Sequence, residues 1–344
     1  MVTLRDVATH VGVSVSTVSL VLNERDGGRV KPAVAEQVRS VAAEMGYLPN
    51  LSARNLRQGR TATIGLLTDG VATVPFGGSM LAGAQTAAWQ QEHLLLLIDT
   101  AGDRALEHLA TTSLLQRGIE ALVLAADFHR EVALPLVPPS VPLVVLNGVG
   151  APGPRNADSV VPDEVGGACA ATSHLVEAGH RRIALLSVAD DAFVARRLRR
   201  AGYEVALRTA GLPLDPSLVE EAPSPNTSIG RAVARRLLDR EQRPTAVFCF
   251  SDQLAMGLYQ AAAELGLGIP DDLSVVGFDN QQFVAEALDP ALTTVQLPHR
   301  EMGEWAATQA IARARGTARG RPVQQLMPCP LVVRQSVAPP ADSS

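Results

Sequence analysis

Aromatic residues are scarce in this chain of 344 residues: phenylalanine, tyrosine and tryptophan together make up 3% of it. At that level a ligand platform built from several stacked rings is not expected. Cysteine is scarcer still. Cys169, Cys249 and Cys329 stand far apart and form no metal-ligand or redox pair, so they read as buried thiols in a reducing compartment. There is no charged-then-apolar leader and no apolar run of about 18 residues. Neither secretion nor membrane insertion is expected, and the cytoplasm is the expected location. Signatures of common chemistries are missing as well: no G-x-G-x-x-G after a strand, no G-x-x-x-x-G-K, no H-E-x-x-H and no G-x-S-x-G. The seven histidines are scattered. His174 and His180 fall on a helix and its end, where packing or capping explains them. No catalytic residue, metal ligand or cofactor is nominated, and the chain is not expected to be an enzyme.

What is present is an ordinary globular composition, 47% hydrophobic and 19% charged, on a chain long enough for two or three domains. The net charge of −5 is unevenly placed. Residues 1–60 hold eight Lys/Arg against five Asp/Glu, and the remainder holds 22 against 30. A basic beginning on an acidic body suits one end touching phosphates while the rest avoids them.

Residues 3–24 read as two short helices joined by a tight turn. Leu4, Val7, Ala8 and Val11 recur at i, i+3, i+4 and i+7, which makes one face apolar. The first helix ends at Gly12-Val13. Ser14 can cap the second, whose buried face is Val18, Val21 and Leu22. Val15, Ser16, Ser19 and Leu20 fall outside that face, so a very short helix offers hydroxyls and uncovered aliphatics to whatever lies opposite. A helix-turn-helix puts such a face into the DNA major groove; a helical hairpin packed on a larger domain would show the same periodicity. Pro32 then opens a third helix lined by Val34, Val38, Val41, Ala42 and Met45, which Gly46 stops.

The order of these residues resembles the DNA-binding head of the lactose-repressor family of bacterial transcription regulators. The family pattern D-V-A-x-x-x-G-V-S-x-x-T-V-S-x-x-x-N stands here as Asp6-Val7-Ala8, Gly12-Val13-Ser14, Thr17-Val18-Ser19 and Asn23. The resemblance implies a head over residues 1–48 in which Thr3, Ser14, Val15, Ser16, Thr17, Ser19, Leu20 and Asn23 meet DNA. Val15, Ser16 and Leu20 occupy the base-reading positions. None is charged or an amide, so the bidentate arginine–guanine and asparagine–adenine pairings are not available from this helix. Thymine methyls under Val15 and Leu20, with one adaptable hydrogen bond from Ser16, are the expected contacts. The loop from Arg25 to Arg29 is longer than the family's, so no base contact is carried to either arginine. Residues 49–60 read by composition as a solvated linker. In the family they form a hinge helix, which implies Leu56 as a wedge in the minor groove and Ser52, Arg54 and Arg57 at the backbone.

Beyond residue 61 the period changes. Apolar runs of strand length at residues 64–67, 94–98, 121–125 and 143–146 alternate with helical stretches at 80–91 and 106–117. A second series follows at 183–186, 218–221, 246–250 and 275–278, with helices near His174 and at 196–210, 230–240 and 254–265. Two doubly wound parallel α/β lobes are expected. The layout resembles the periplasmic-binding-protein fold that the family's core shares. Gly179-His180-Arg181-Arg182-Ile183-Ala184, the segment from Ser251 to Gly257, the segment from Ile269 to Asp279, and Leu292-Thr293-Thr294-Val295 carry that likeness. One lobe is expected to take residues 61–160 with about 298–325, the other 161–297 with the C-terminal segment. Residues 336–344 are read as a flexible tail.

In open α/β sheets ligands bind where strand ends turn into helices. The resemblance implies Arg199 as a ligand-clamping arginine, Asp279 as a carboxylate for ligand hydroxyls or amines, and Phe76 as a ring against the ligand face. Asp163, Phe250, Ser251, Asp252 and Asn147 are further candidates, although Asp252 is equally explained as a cap of its helix. The expected function is a homodimeric regulator, a repressor above all, that binds a near-palindromic operator and responds to a small metabolite, a sugar first. A cytoplasmic solute-binding module, a regulator using a nucleobase corepressor and a doubly wound enzyme stay open beside it.

Overall fold

The computed structural model describes residues 2–47, 60–71, 76–153, 156–191 and 193–341. They fall into two compact units, an N-terminal head and a body that begins at Ala62.

The head holds three helices, α1 (Leu4–Val11), α2 (Val15–Leu22) and α3 (Pro32–Glu44). Thr3 and Asp6 cap α1 reciprocally, each side chain accepting from the other's backbone N–H. Gly12 ends the helix at φ 75°, a left-handed conformation that glycine adopts without strain. The turn leaves Ser14 at the start of α2, where its hydroxyl accepts from Thr17 N at 3.1 Å. Val7, Val18 and Val38, one from each helix, are fully buried against one another.

In the body the strands are β1 (Thr63–Thr68), β2 (Leu94–Asp99), β3 (Ala121–Val132), β4 (Leu143–Gly150), β5 (Asp158–Pro162), β6 (Ile183–Val188), β7 (Val219–Ala222), β8 (Ala246–Cys249), β9 (Ser274–Asp279), β10 (Thr293–Gln296), β11 (Gln324–Met327) and β12 (Leu331–Val332). The helices are α4 (Gly77–Gln90), α5 (Arg104–Gln116), α6 (Glu164–Glu177), α7 (Val194–Thr209), α8 (Thr227–Leu238), α9 (Asp252–Glu264) and α10 (His299–Ala314). Among the described residues they build two six-stranded sheets, ordered β11-β5-β4-β3-β1-β2 and β12-β10-β9-β8-β6-β7. Only β10 with β12 pairs antiparallel there. Each parallel sheet reverses direction once, between β1 and β3 and between β6 and β8, as in doubly wound folds. Fully buried strands such as β6 are covered on both faces, hence their long apolar runs.

The chain passes between the two lobes at Pro162–Glu164, after β10, and between β11 and β12. These crossovers are tied to one another: Asp163 N donates to Met327 O at 2.7 Å and Gln296 N to Pro330 O at 2.8 Å.

Two expectations are corrected here. Residues 336–341 are not a loose end. Ser336 is fully buried, its hydroxyl donates to Val275 O at 2.6 Å, and Ala338 O accepts from Ser274 Oγ. An antiparallel return onto β9 and β10 satisfies this polar stretch, which composition alone reads as solvated. Cys249 and Cys329 are buried thiols, but Cys169 is only half-buried. No helix of the described residues is long and apolar enough to cross a membrane.

Candidate effector cleft and DNA-reading face

The cleft between the lobes is assembled from strand ends. β3 loses register with β4 after Ala125, and the irregularity turns Asp127, Phe128 and His129 into the cleft. Asn147 lies near the end of β4 and Asp279 ends β9. Both hold positive φ, 61° and 107°, a conformation that costs a non-glycine residue of order 1–3 kcal/mol and gathers at ligand sites. On the same lobe as Asp279, and opposite Asn147, Phe193 precedes α7, and Phe250 and Ser251 precede α9. The cavity between them measures about 150 Å³ and is partly open.

Rings dominate its walls. Phe128 and Phe193 meet at 4.4 Å between centroids, across the two lobes, and Phe193 meets Phe250 edge-on at 5.9 Å. Phe76 stacks on His299 at 4.8 Å with 12° between the planes. That stack follows from helix packing. Phe76 begins α4 and His299 begins α10, and the two helices touch where Gly83 faces Arg300 and Gly303 faces Met80. A Cβ on Gly83 would sit 2.0 Å from Arg300 O, and one on Gly303 2.1 Å from Met80 O. Only two glycines let the helix starts come side by side. The expectation that scarce aromatics rule out a multi-ring platform is therefore overturned. All seven phenylalanines lie in the cleft wall, directly behind it, or at its rim.

Buried charge lies among the rings. Arg199 is 4% exposed and sits on the faces of Phe278 and Phe250, at 3.7 and 4.5 Å from their centroids. Its Nε donates to Glu164 Oε2 at 2.7 Å, and its Nη1 donates to Phe250 O and, at 3.2 Å, to Asp279 Oδ1. Burial pushes Glu164 upward, but the charge of Arg199 and its hydrogen bond, with His129 beside it adding to them, outweigh this and hold the carboxyl below its usual range. Asp279 is pushed the other way, chiefly by burial with Glu164 adding to it, despite Arg199. Burial raises Asp127 too and lowers His299 to about 4, so His299 is neutral at pH 7. His129 Nδ1 lies buried 3.6 Å from Glu164 Oε1, within ion-pair range, and has no hydrogen-bond partner.

The structure brings together Phe76, Asn147, Arg199, Phe250, Ser251 and Asp279 on this cleft. Ser251 also caps α9 through Leu254 N. Two candidates are elsewhere. Asp163 caps α6 by accepting from Gly166 N and faces a recess by the crossovers with Pro298 and Cys329; its neighbour Glu164 enters the cleft instead. Asp252 is fully buried behind the wall, where it accepts from Thr294 Oγ1 at 2.5 Å and Gln281 N at 2.7 Å. Burial raises it strongly. It is the first residue of α9, with Ser251 the cap, so neither a cap nor a ligand contact describes it. Glu164, His299, Asp127, Phe128, His129 and Phe193 were not nominated. The polar triplet Asp127-Phe128-His129 directly after an apolar run was the available signal for three of them.

In the head, Val15 is 41% exposed and Ser16 is exposed beside it, while Ser19 and Leu20 are half-buried. The Thr17 hydroxyl shares a 2.9 Å hydrogen bond with Ser14 Oγ, and Asn23 Nδ2 donates to Ser19 O at 2.6 Å. Thr3, Ser14 and Asn23 thus hold helix ends as well as lying near the exposed face. Ser52, Arg54, Leu56 and Arg57 lie outside the described residues.

The family described as bacterial regulatory proteins, lacI family, matches residues 3–50, and a periplasmic binding protein-like domain matches residues 172–337. The ribose operon repressor of Haemophilus influenzae is 34% identical over 91% of this chain and 92% of its own length. The chain belongs to the lacI family. The transcriptional repressor PurR of Vibrio atlanticus is 34% identical over 88% of this chain and 89% of its own. Among solved structures, the lac repressor dimer bound to operator and the anti-inducer ONPF superposes with a TM-score of 0.78 at 26% identity, covering 98% of this chain and 99% of that one. This lacI-family member is a DNA-binding transcriptional regulator.

Proposed function

We propose that this regulator is a cytoplasmic, non-enzymatic repressor that binds a near-palindromic operator as a homodimer and releases it when a sugar occupies the interlobe cleft. The carrying observation is the cleft itself, where rings from both lobes enclose polar groups rich in acceptors. Apolar faces of a sugar ring lie on aromatics, and its hydroxyls donate to carboxylates. Ribose operon repressors among the relatives, and a solved regulator–cellobiose complex, are in keeping with that class. A homodimer suits the exposed leucines of the edge strand β2, Leu94 and Leu97, which leave apolar surface for a second copy. In this reading Leu56 wedges into the minor groove at the operator's centre, Ser52, Arg54 and Arg57 meet the backbone, and ligand and DNA affinities are coupled by about 1–3 kcal/mol.

Fluorescence anisotropy of the full-length protein on duplexes from its own control region, with and without sugars, tests this. A weaker DNA complex in the presence of a sugar is expected. A complex tightened by guanine or hypoxanthine would instead support the corepressor reading that PurR suggests. Leu56→Ala is expected to weaken operator binding and spare effector binding; unchanged operator affinity would sink the wedge.

A further inference from the structure

The 150 Å³ cavity opens beside a second, larger space of about 460 Å³, and the two share Phe76, Gln253, Asp279, Gln281, Leu297 and His299 as common wall. A cavity of the smaller size holds one six-membered ring and no more. The outer space has a different chemistry. Asn280 Nδ2 donates to Gln296 Oε1 at 2.5 Å, Gln296 Nε2 donates to Leu297 O at 2.7 Å, and Arg334 holds Asn280 Oδ1 at 2.9 Å. That network fixes part of the wall and leaves the amides of Gln253 and Gln282 with no partner among the described residues. Each such amide offers donors and an acceptor together, which matches a sugar hydroxyl's double role. At the rim Phe283 stands 83% exposed, a bare ring beside a polar wall.

Among the described residues, neither space offers an arginine or lysine without a carboxylate partner. The Arg199 donors go to Glu164, Asp279 and Phe250 O, and Arg300 is paired with Glu304 at 3.2 Å. Among the helix starts at the cleft α6 carries Glu164 and α9 Asp252, whereas α4 and α7 carry no acid in their first turns; the walls themselves are acidic, with Asp127, Glu164 and Asp279 on the inner space and Asp279 and Glu301 on the outer one. Phosphate or carboxylate would therefore meet carboxylates rather than donors.

We infer that the effector is an unphosphorylated disaccharide, one ring enclosed among the phenylalanines of the inner space and the other held by Gln253, Gln282 and Phe283 in the outer one. This rests on the sugar reading above and narrows it.

Isothermal titration calorimetry of the full-length protein tests it with cellobiose, maltose and lactose against glucose, galactose and ribose, with glucose 6-phosphate as the charged probe. At least one disaccharide is expected to bind about tenfold more tightly than its constituent monosaccharides, a gap of about 1.4 kcal/mol, and glucose 6-phosphate is expected not to bind. Phe283→Ala and Gln282→Ala, both exposed, should narrow that gap. Monosaccharide affinity equal to or above that of every disaccharide overturns the two-ring assignment and leaves the sugar reading standing. Binding of glucose 6-phosphate at least as tight as glucose overturns the charge argument and with it the assignment. No heat with any of these sugars overturns both readings together.

Discussion

The two recognition surfaces of this regulator are built in opposite ways. The proposed DNA-reading face is a single eight-residue helix with no charge on it, exposed on one side, and held by caps and by a buried cluster that includes Val7, Val18 and Val38. The effector cleft draws side chains from Phe76 to His299, and buries one guanidinium between two carboxylates among rings. A face that reads a groove can be weakly specific residue by residue, because the partner's phosphates supply most of the affinity. A cleft that must sense one small molecule has no such reserve. Its buried groups have to be satisfied in the empty state as well, and their removal is correspondingly expensive.

The largest effect should therefore come from Arg199. Replacing it with alanine leaves Glu164 and Asp279 buried without their cation, and breaking a buried pair in this way costs about 3–5 kcal/mol. Urea unfolding of the full-length protein should show the body transition lowered by that amount, with effector response lost. A comparable loss on Arg39→Ala in the head, whose ion pair with Asp26 is exposed at the arginine, would erase the contrast.

His299 comes next. Its folded value of about 4 lies below the 6.5 of the unfolded chain, so the unfolded state binds the extra proton between those two values. Its contribution is complete above pH 6.5 and is lost as the pH falls toward 4, of order 3 kcal/mol in all. The raised Asp279 acts in the opposite direction over part of that range, so wild type alone does not isolate the histidine. The difference between wild type and His299→Phe does, since phenylalanine keeps the stack on Phe76. That difference in unfolding free energy should fall with acidification; a flat difference would mean that the imidazole titrates normally.

Gly83→Val follows. Its Cβ would fall on Arg300 O, and overpacking of that kind costs about 1–3 kcal/mol. Because α4 and α10 must separate, Phe76 and His299 should part, and effector affinity should drop more than DNA affinity. Equal losses in both would indicate a global fault rather than a local one.

Why the head could be read from sequence and the cleft only in part follows from the same contrast. Helix starts and stops in the head are written by neighbours: Thr3 with Asp6, Ser14 with Thr17, Gly12 at positive φ. The alternating apolar runs likewise announced the two α/β lobes, because β1, β6 and β9 are buried almost along their whole length and carry mostly apolar residues for lack of a wet face. Cleft residues depend on distant partners. Glu164 is distinguished from Asp163 only by Arg199, 35 positions away, and His299 only by Phe76 and the paired glycines Gly83 and Gly303. The short strands β5, β11 and β12 were not read either, since their positions are set by pairing with β4, β5 and β10 rather than by their own patterns. Low aromatic content misled for a related reason: composition counts rings, and only the fold decides that they share one place.

The smallest effects belong to the head, and they test its uncharged face most directly. Ser14→Ala removes the cap of α2 and should cost about 1 kcal/mol of head stability, weakening DNA binding several-fold while leaving sugar affinity as it is. Finer still is a change made in the DNA. With Val15 exposed and Leu20 half-exposed, and no arginine or amide on the helix, thymine methyl groups are the features left for it to read. Deoxyuridine in place of thymidine at a position under α2 removes one methyl, worth about 0.8 kcal/mol if fully buried, or roughly a fourfold loss of affinity. The same substitution outside the half-sites should do nothing. Replacing guanine by 7-deazaguanine under α2 should cost no more than the single hydrogen bond that Ser16 can give, because no side chain there can use N7 bidentately. A large loss on that second change would mean that a basic residue from elsewhere, Arg25 or Arg29 in the following loop, reaches the groove and does the reading that α2 does not.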